Sequence, residues 1–154
     1  EAERTVISFN GKPALHAYAH AIGALSDAVT ESFMTYPLAR MVGGEPFVRS
    51  PQKIMGTSIK FYCGVKKGEN LAVMEATDII ADTTAAFAKG LAESGGARGV
   101  VDFHCILRAM ELESKGFSQD YGAIFKDVPT VGFCTYGEAW TTYVNQTSTM
   151  LLFK

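Results

Sequence analysis

The polarity of "VVDFHCILR" changes from residue to residue, whereas "TDIIADTTAAFAKGLAESGG" brings apolar residues back at helical spacing. Side chains alternate faces along a strand and return to one face of a helix at i+3 and i+4. The first stretch therefore predicts a strand over Gly99–Leu107. The second predicts a helix that starts at the N-cap Asp78, gathers Ile80, Phe87 and Leu91 near one face, and stops at Gly95-Gly96. The same reading predicts a short strand over Thr5–Phe9 and a turn at Asn10-Gly11. A helix then opens at Pro13 and carries the stripe Leu15, Tyr18, Ile22 and Leu25. "TYPLARMVGGEP" is punctuated by Pro and Gly and predicts a surface connection with a short helical piece before it. Strands are expected over Phe47–Ile54, Ser58–Val65 and Asn70–Thr77, the last two joined as a hairpin through the polar "KKGEN". A helix near Met110–Phe125 and strands over Thr130–Trp140 and Ser148–Phe153 complete the chain.

Strands and helices mix without strict βαβ alternation. The fold class expected is α+β, a mixed, largely antiparallel β-sheet with helices packed on it. At 154 residues, 47% apolar and 19% charged, the chain suits a single domain, 1–154, with a folded core. A net charge of −2 and no Lys/Arg-rich block give no electrostatic footprint for nucleic acid. The apolar runs are short and broken by Gly or charge, so no membrane-spanning helix is expected. The first residue is Glu rather than Met, which suggests a processed or excised piece of a longer chain. Cys63, Cys105 and Cys134 are an odd number without a CxxC, in apolar, strand-like surroundings. They are expected to be buried, reduced thiols of a cytoplasmic protein.

Two strands carry the candidate chemistry. In "VVDFHCILR", Val101, Phe103, Cys105 and Leu107 share the face expected to meet the core, and Asp102, His104, Ile106 and Arg108 share the other. In "TVGFCTYGEAW", Tyr136, Glu138 and Trp140 share a face, and Gly137 removes a side chain beside Glu138. If the strands are neighbours, Arg108 and Glu138 fall on one polar patch within an aromatic surround. They then either pair with each other and hold the fold, or act as two hooks for a zwitterion. In the second case the guanidinium forks a carboxylate and the carboxylate takes an ammonium.

Other constellations carry less. His16 and His20 are four apart on the first helix, opposite its apolar stripe, and lack a third ligand there, so no metal site is expected. His104 and Cys105 are adjacent on a strand and point to opposite faces, which excludes a direct Cys–His nucleophile. Asp102 and Glu138 could form an acid/base pair, but no nucleophile or metal motif accompanies them. The glycines form no GxGxxG or P-loop. Asn145 either closes a turn through its side chain or adds its amide to the ligand patch.

"GVVDFHCILR", "VPTVGFCTYGEAW" and "VNQTSTMLLF" follow one another in the last part of the chain. Together they resemble the C-terminal half of the FIST sensory domain. That family has a Cys and an Arg a few residues apart at a strand end, then a P-x-x-G-F-x-T-x-G-E strand, then an N-Q-T-x-T-M strand. Cys105 and Arg108 match the first motif. Pro129, Gly132, Phe133, Thr135, Gly137 and Glu138 match the second. Asn145, Gln146, Thr147, Thr149 and Met150 match the third. "GKPALHAYAHAIG" and "TYPLA" resemble the opening of the same half.

The resemblance implies a signal-input domain of a bacterial-type signalling protein, not an enzyme, that binds a small polar ligand such as an amino acid. It implies a preceding N-terminal half-domain and a signalling output domain as partners. No cofactor is expected, although some members of the family hold haem. The expected ligand site is Arg108, Glu138, Tyr136, Trp140, Asn145 and His104, with Tyr136 and Trp140 as an apolar wall. A haem or gas sensor and a ligand-free protein-interaction scaffold are the alternatives.

Overall fold

The α+β class expected from the sequence is the class observed, with mostly antiparallel pairings and helices packed against short strands. The computed structural model describes residues 3–140 and 142–154, and the side chain of Trp140 lies outside the described part. The chain divides into two units, Glu1–Ala76 with Thr142–Asn145, and Thr77–Thr141 with Gln146–Lys154.

The first unit begins with β1 (Thr5–Val6), β2 (Ser8–Phe9), β3 (Lys12–Pro13) and helix α1 (Ala14–Ile22). Strands β4 (Leu38–Val42), β5 (Glu45–Arg49), β6 (Pro51–Met55), β7 (Ser58–Phe61) and β8 (Ala72–Val73) follow. Leu15, Tyr18 and Ile22 of the predicted stripe pack into a core with Phe33, Leu38, Ile59 and Phe61. Leu25 is a correction: α1 ends at Gly23 in a left-handed conformation, and Leu25 lies beyond it, exposed.

Two further expectations are corrected, one of a loop and one of a hairpin. "TYPLARMVGGEP" is not a surface loop. It supplies β4 and the turn of the β4–β5 hairpin, in which Val42 faces Glu45 across Gly43 and Gly44. Both glycines have positive φ, 61° and 89°, which a two-residue hairpin turn requires. "KKGEN" closes no hairpin, because β7 pairs with β6 and β1 while β8 pairs with β4.

The second unit opens with α2 (Ile79–Ser94). Asp78 caps it as expected, accepting from the N–H groups of Ile80 and Ala81 at 2.9 Å, an arrangement worth about 1 kcal/mol. Then come β9 (Gly99–Cys105), α3 (Ile106–Lys115), α4 (Ser118–Ala123), β10 (Thr130–Thr135) and β11 (Glu138–Trp140). The chain next contributes β12 (Thr142–Val144) to the first unit and returns as β13 (Ser148–Phe153). The sheet order is β10-β9-β13, with β10 parallel and β13 antiparallel to β9.

The faces of this sheet reverse the sequence expectation. Val100, Met150 and Leu152 pack with Phe87, Phe125 and Tyr121, and the polar Asp102 and His104 lie on the same side, 5% and 7% exposed. Val101 and Phe103, expected in the core, are only partly buried. Their cross-strand neighbours Val131 and Phe133 are 69% and 60% exposed. Polarity misled because both Asp102 oxygens accept from hydroxyls, those of Ser148 and Tyr121, and His104 Nδ1 meets Tyr121, so these atoms need no water.

Candidate functional site

Arg108 sits in the first turn of α3, not on the strand. β9 stops at Cys105, whose extended backbone (φ −62°, ψ 134°) makes it the N-cap. Leu107, Glu111 and Leu112 are the buried positions of the helix that follows. The predicted shared face of Asp102, His104, Ile106 and Arg108 therefore ends at His104. Helical geometry turns Arg108 toward α2 instead, where its Nη2 donates to Thr83 Oγ1 at 2.7 Å. Thr83 is buried and passes its own hydroxyl proton to the Ile79 carbonyl at 2.6 Å. Arg108 Nε is buried and has no hydrogen-bond partner among the described residues.

Arg108 lines a pocket of about 410 Å³ together with Asp82, Thr83, Gln146, Thr147 and Ser148, over an apolar floor that includes Phe87 and Met150. Asp82 accepts a hydrogen bond from Thr77. Thr147 and Ser148 turn their hydroxyl protons away, Thr147 to Glu138 Oε2 at 2.6 Å and Ser148 to Asp102 Oδ1 at 2.7 Å.

Glu138 is 3% exposed and accepts from two hydroxyls, those of Thr135 and Thr147. No ion pair joins it to Arg108 among the described residues, and it is not part of the pocket wall. It stands behind Thr147. β9 and β10 are neighbours, as the sequence reading required, and pair in parallel, but the two charged tips do not share the β-face expected of them. β10 also ends at Thr135. Tyr136 lies in the break before β11, 79% exposed, and Gly137 has φ 152°, so the alternation that put Tyr136 beside Glu138 does not run through. Whether Trp140 forms a wall falls outside the described side chains. Asn145 belongs to the first unit, where its Oδ1 accepts from Ser50 N–H at 3.3 Å and its own N–H donates to the Val48 carbonyl.

His104 lies in a different cleft of the second unit, about 470 Å³, with Asp102, Tyr121 and Cys134 in its wall. Tyr121 Oη is 2.8 Å from Asp102 Oδ2 and 3.0 Å from His104 Nδ1. Burial, and then the charge of Arg108, hold the His104 pKa below its ordinary value against the opposing pull of Asp102. Burial pushes the Tyr121 pKa up to about 12.

The profile of the FIST C domain matches residues 14–140. The chain belongs to the FIST C domain family. FIST C domains are sensory-type modules, so the broad reading of the sequence, signal input, stands. The match takes in Arg108, Glu138 and the whole of α2, and ends before the "NQTSTM" stretch. No curated protein and no solved structure matches the chain.

Of the three cysteines, all free, Cys63 and Cys105 are buried as expected, with thiol pKa values raised by burial. Cys134 corrects the expectation, since it is exposed at the edge strand β10. His16 and His20 are exposed on α1, and no cluster of metal-ligating side chains occurs among the described residues. No described helix is long and apolar enough to cross a membrane.

Sequence reasoning missed Asp82, Thr83 and Ser148. Thr83 left a signal: it occupies the middle of the buried stripe Ile79, Thr83, Phe87, where a hydroxyl needs a partner.

Proposed function

We propose that this FIST C domain is the ligand-reading part of a signal-input module and that its ligand is an amino acid held in the Arg108 pocket. The observation that carries the reading is Arg108 in the wall of a pocket, with a buried Nε–H that has no hydrogen-bond partner among the described residues. A guanidinium with one hydrogen bond spent on Thr83 retains donors in the fork geometry a carboxylate matches. Acceptors for an ammonium line the same pocket. They are the Asp82 carboxylate and the lone pairs of Thr147 and Ser148, whose hydroxyl protons are committed elsewhere. Phe87, Met150 and Leu152 offer an apolar seat for the ligand's side chain.

Glu138 then serves as a positioning residue. It fixes the Thr147 hydroxyl so that the oxygen presents lone pairs rather than a proton to the pocket. Signalling would follow from unequal affinity of two conformations of the full sensory module for the ligand.

Calorimetric titration of amino acids into the chain and into Arg108→Ala tests this. Loss of one charge-assisted fork should weaken binding by roughly 1.5–3 kcal/mol. A folded Arg108→Ala protein with unchanged affinity would remove the assignment.

A further inference from the structure

Tyr121 has one hydroxyl proton and two neighbours close enough to share it, Asp102 Oδ2 at 2.8 Å and His104 Nδ1 at 3.0 Å. The carboxylate already accepts from Ser148 on its other oxygen. An ionised carboxylate can only accept, so the Tyr121 proton goes to Asp102 and the Tyr121 oxygen must receive its second hydrogen bond from a ring N–H. His104 therefore carries its proton on Nδ1, and Nε2 is left with a bare lone pair. That atom is buried and has no hydrogen-bond partner among the described residues, on a side chain that is 7% exposed. Buried acceptors are almost always paired.

His104 lines the cleft of about 470 Å³, whose wall is otherwise largely apolar, with Leu112, Phe125, Val131 and Phe133 in it. We propose that this cleft is a second binding site, for a small uncharged molecule that has an apolar body and one N–H or O–H donor directed at His104 Nε2. An anion meets no free donor at Nε2 and faces Asp102 nearby. A cation would have to leave water for an apolar wall, with both oxygens of Asp102 already engaged. A metal ion lacks company, because no group of three ligating side chains occurs among the described residues. The site is distinct from the Arg108 pocket in its residues and in its chemistry, since one offers donors to a carboxylate and the other a lone pair to a donor.

Nitrogen NMR of the His104 ring in the intact chain at pH 8 tests the proposal, with indole as the probe and 1-methylindole as its donor-free match. The free protein should show a neutral ring protonated on Nδ1. Indole should saturate and move the Nε2 resonance in the direction of an accepted hydrogen bond. 1-Methylindole should bind at least tenfold more weakly and leave Nε2 where it was. A proton found on Nε2 in the free protein overturns the proposal, as does saturation by indole without movement of Nε2, or no saturable binding of indole at all. Amino-acid titration of the same sample reports separately on the Arg108 pocket, so failure of one site is not mistaken for failure of the other.

Discussion

Ser148 donates its hydroxyl to Asp102 over 2.7 Å, and the bond connects two pockets: Ser148 lines the one beside Arg108, and Asp102 lines the one beside His104. Neighbouring strands make this possible, because β13 pairs antiparallel with β9 and sets Ser148 opposite His104, two residues along the same face from Asp102. Ser148→Ala leaves a buried carboxylate oxygen short of a donor. It should destabilise the protein by about 1–3 kcal/mol, measured as a shift of the urea midpoint with an unchanged slope.

Gly132 sits opposite Asp102 in the parallel β10–β9 pair, and a Cβ built there would lie 2.3 Å from the Asp102 carbonyl oxygen. Backbone cannot swing aside as a side-chain tip can. Gly132→Ala is expected to cost about 1–3 kcal/mol and to disturb the cleft wall at Asp102. Chemical denaturation gives the cost, and the amide spectrum shows whether β9 shifts.

The pH dependence of stability should carry the mark of His104. Its folded pKa lies below the ordinary 6.5, through burial and the charge of Arg108. The unfolded chain then takes up the proton first, so stability is full above pH 6.5 and falls as pH drops from there toward the folded value. The limit for one group is about 1.4 kcal/mol per pH unit. His104→Gln should flatten that part of the profile relative to the parent protein. Parallel profiles for the two proteins between pH 7.5 and 5.5 would contradict the assignment.

Thiol labelling separates the cysteines. Cys134 is exposed, whereas Cys63 and Cys105 are buried with raised pKa values. An aromatic disulfide reagent should react quickly with one thiol in the folded protein and with all three after unfolding. Cys134→Ser should abolish the fast reaction.

Much of this architecture could be read from the residues. Asp78 and Gly95 bounded α2 because a carboxylate at the N-cap and a left-handed glycine at the other end are local devices, indifferent to the rest of the fold. The strand β13 was legible over its full length. The β9–α3 junction was not, because "HCILRAM" passes from strand to helix without Gly or Pro. The polar alternation Asp102, His104 happens to continue through Ile106 and Arg108 as if the strand went on. The same junction decided the site. Arg108 drew notice as a candidate ligand-binding cation on a strand; it lies on a helix and lines a pocket, where its neighbours Asp82 and Thr83 come from a helix some 25 residues earlier, a contact that only tertiary packing sets. Glu138 drew notice as an acid without a nearby base. Its real partners are two hydroxyls, which a pattern of charges does not reveal.

The most direct measurement of the central claim is the Nε–H resonance of Arg108 in the chain titrated with the proteinogenic amino acids. If the pocket reads a carboxylate, at least one amino acid saturates, moves that resonance downfield and slows its exchange with water, and the same amino acid fails to bind Arg108→Ala. An amino acid that binds saturably while the Arg108 Nε–H stays unmoved, or the absence of saturable binding by any of them, would contradict the account.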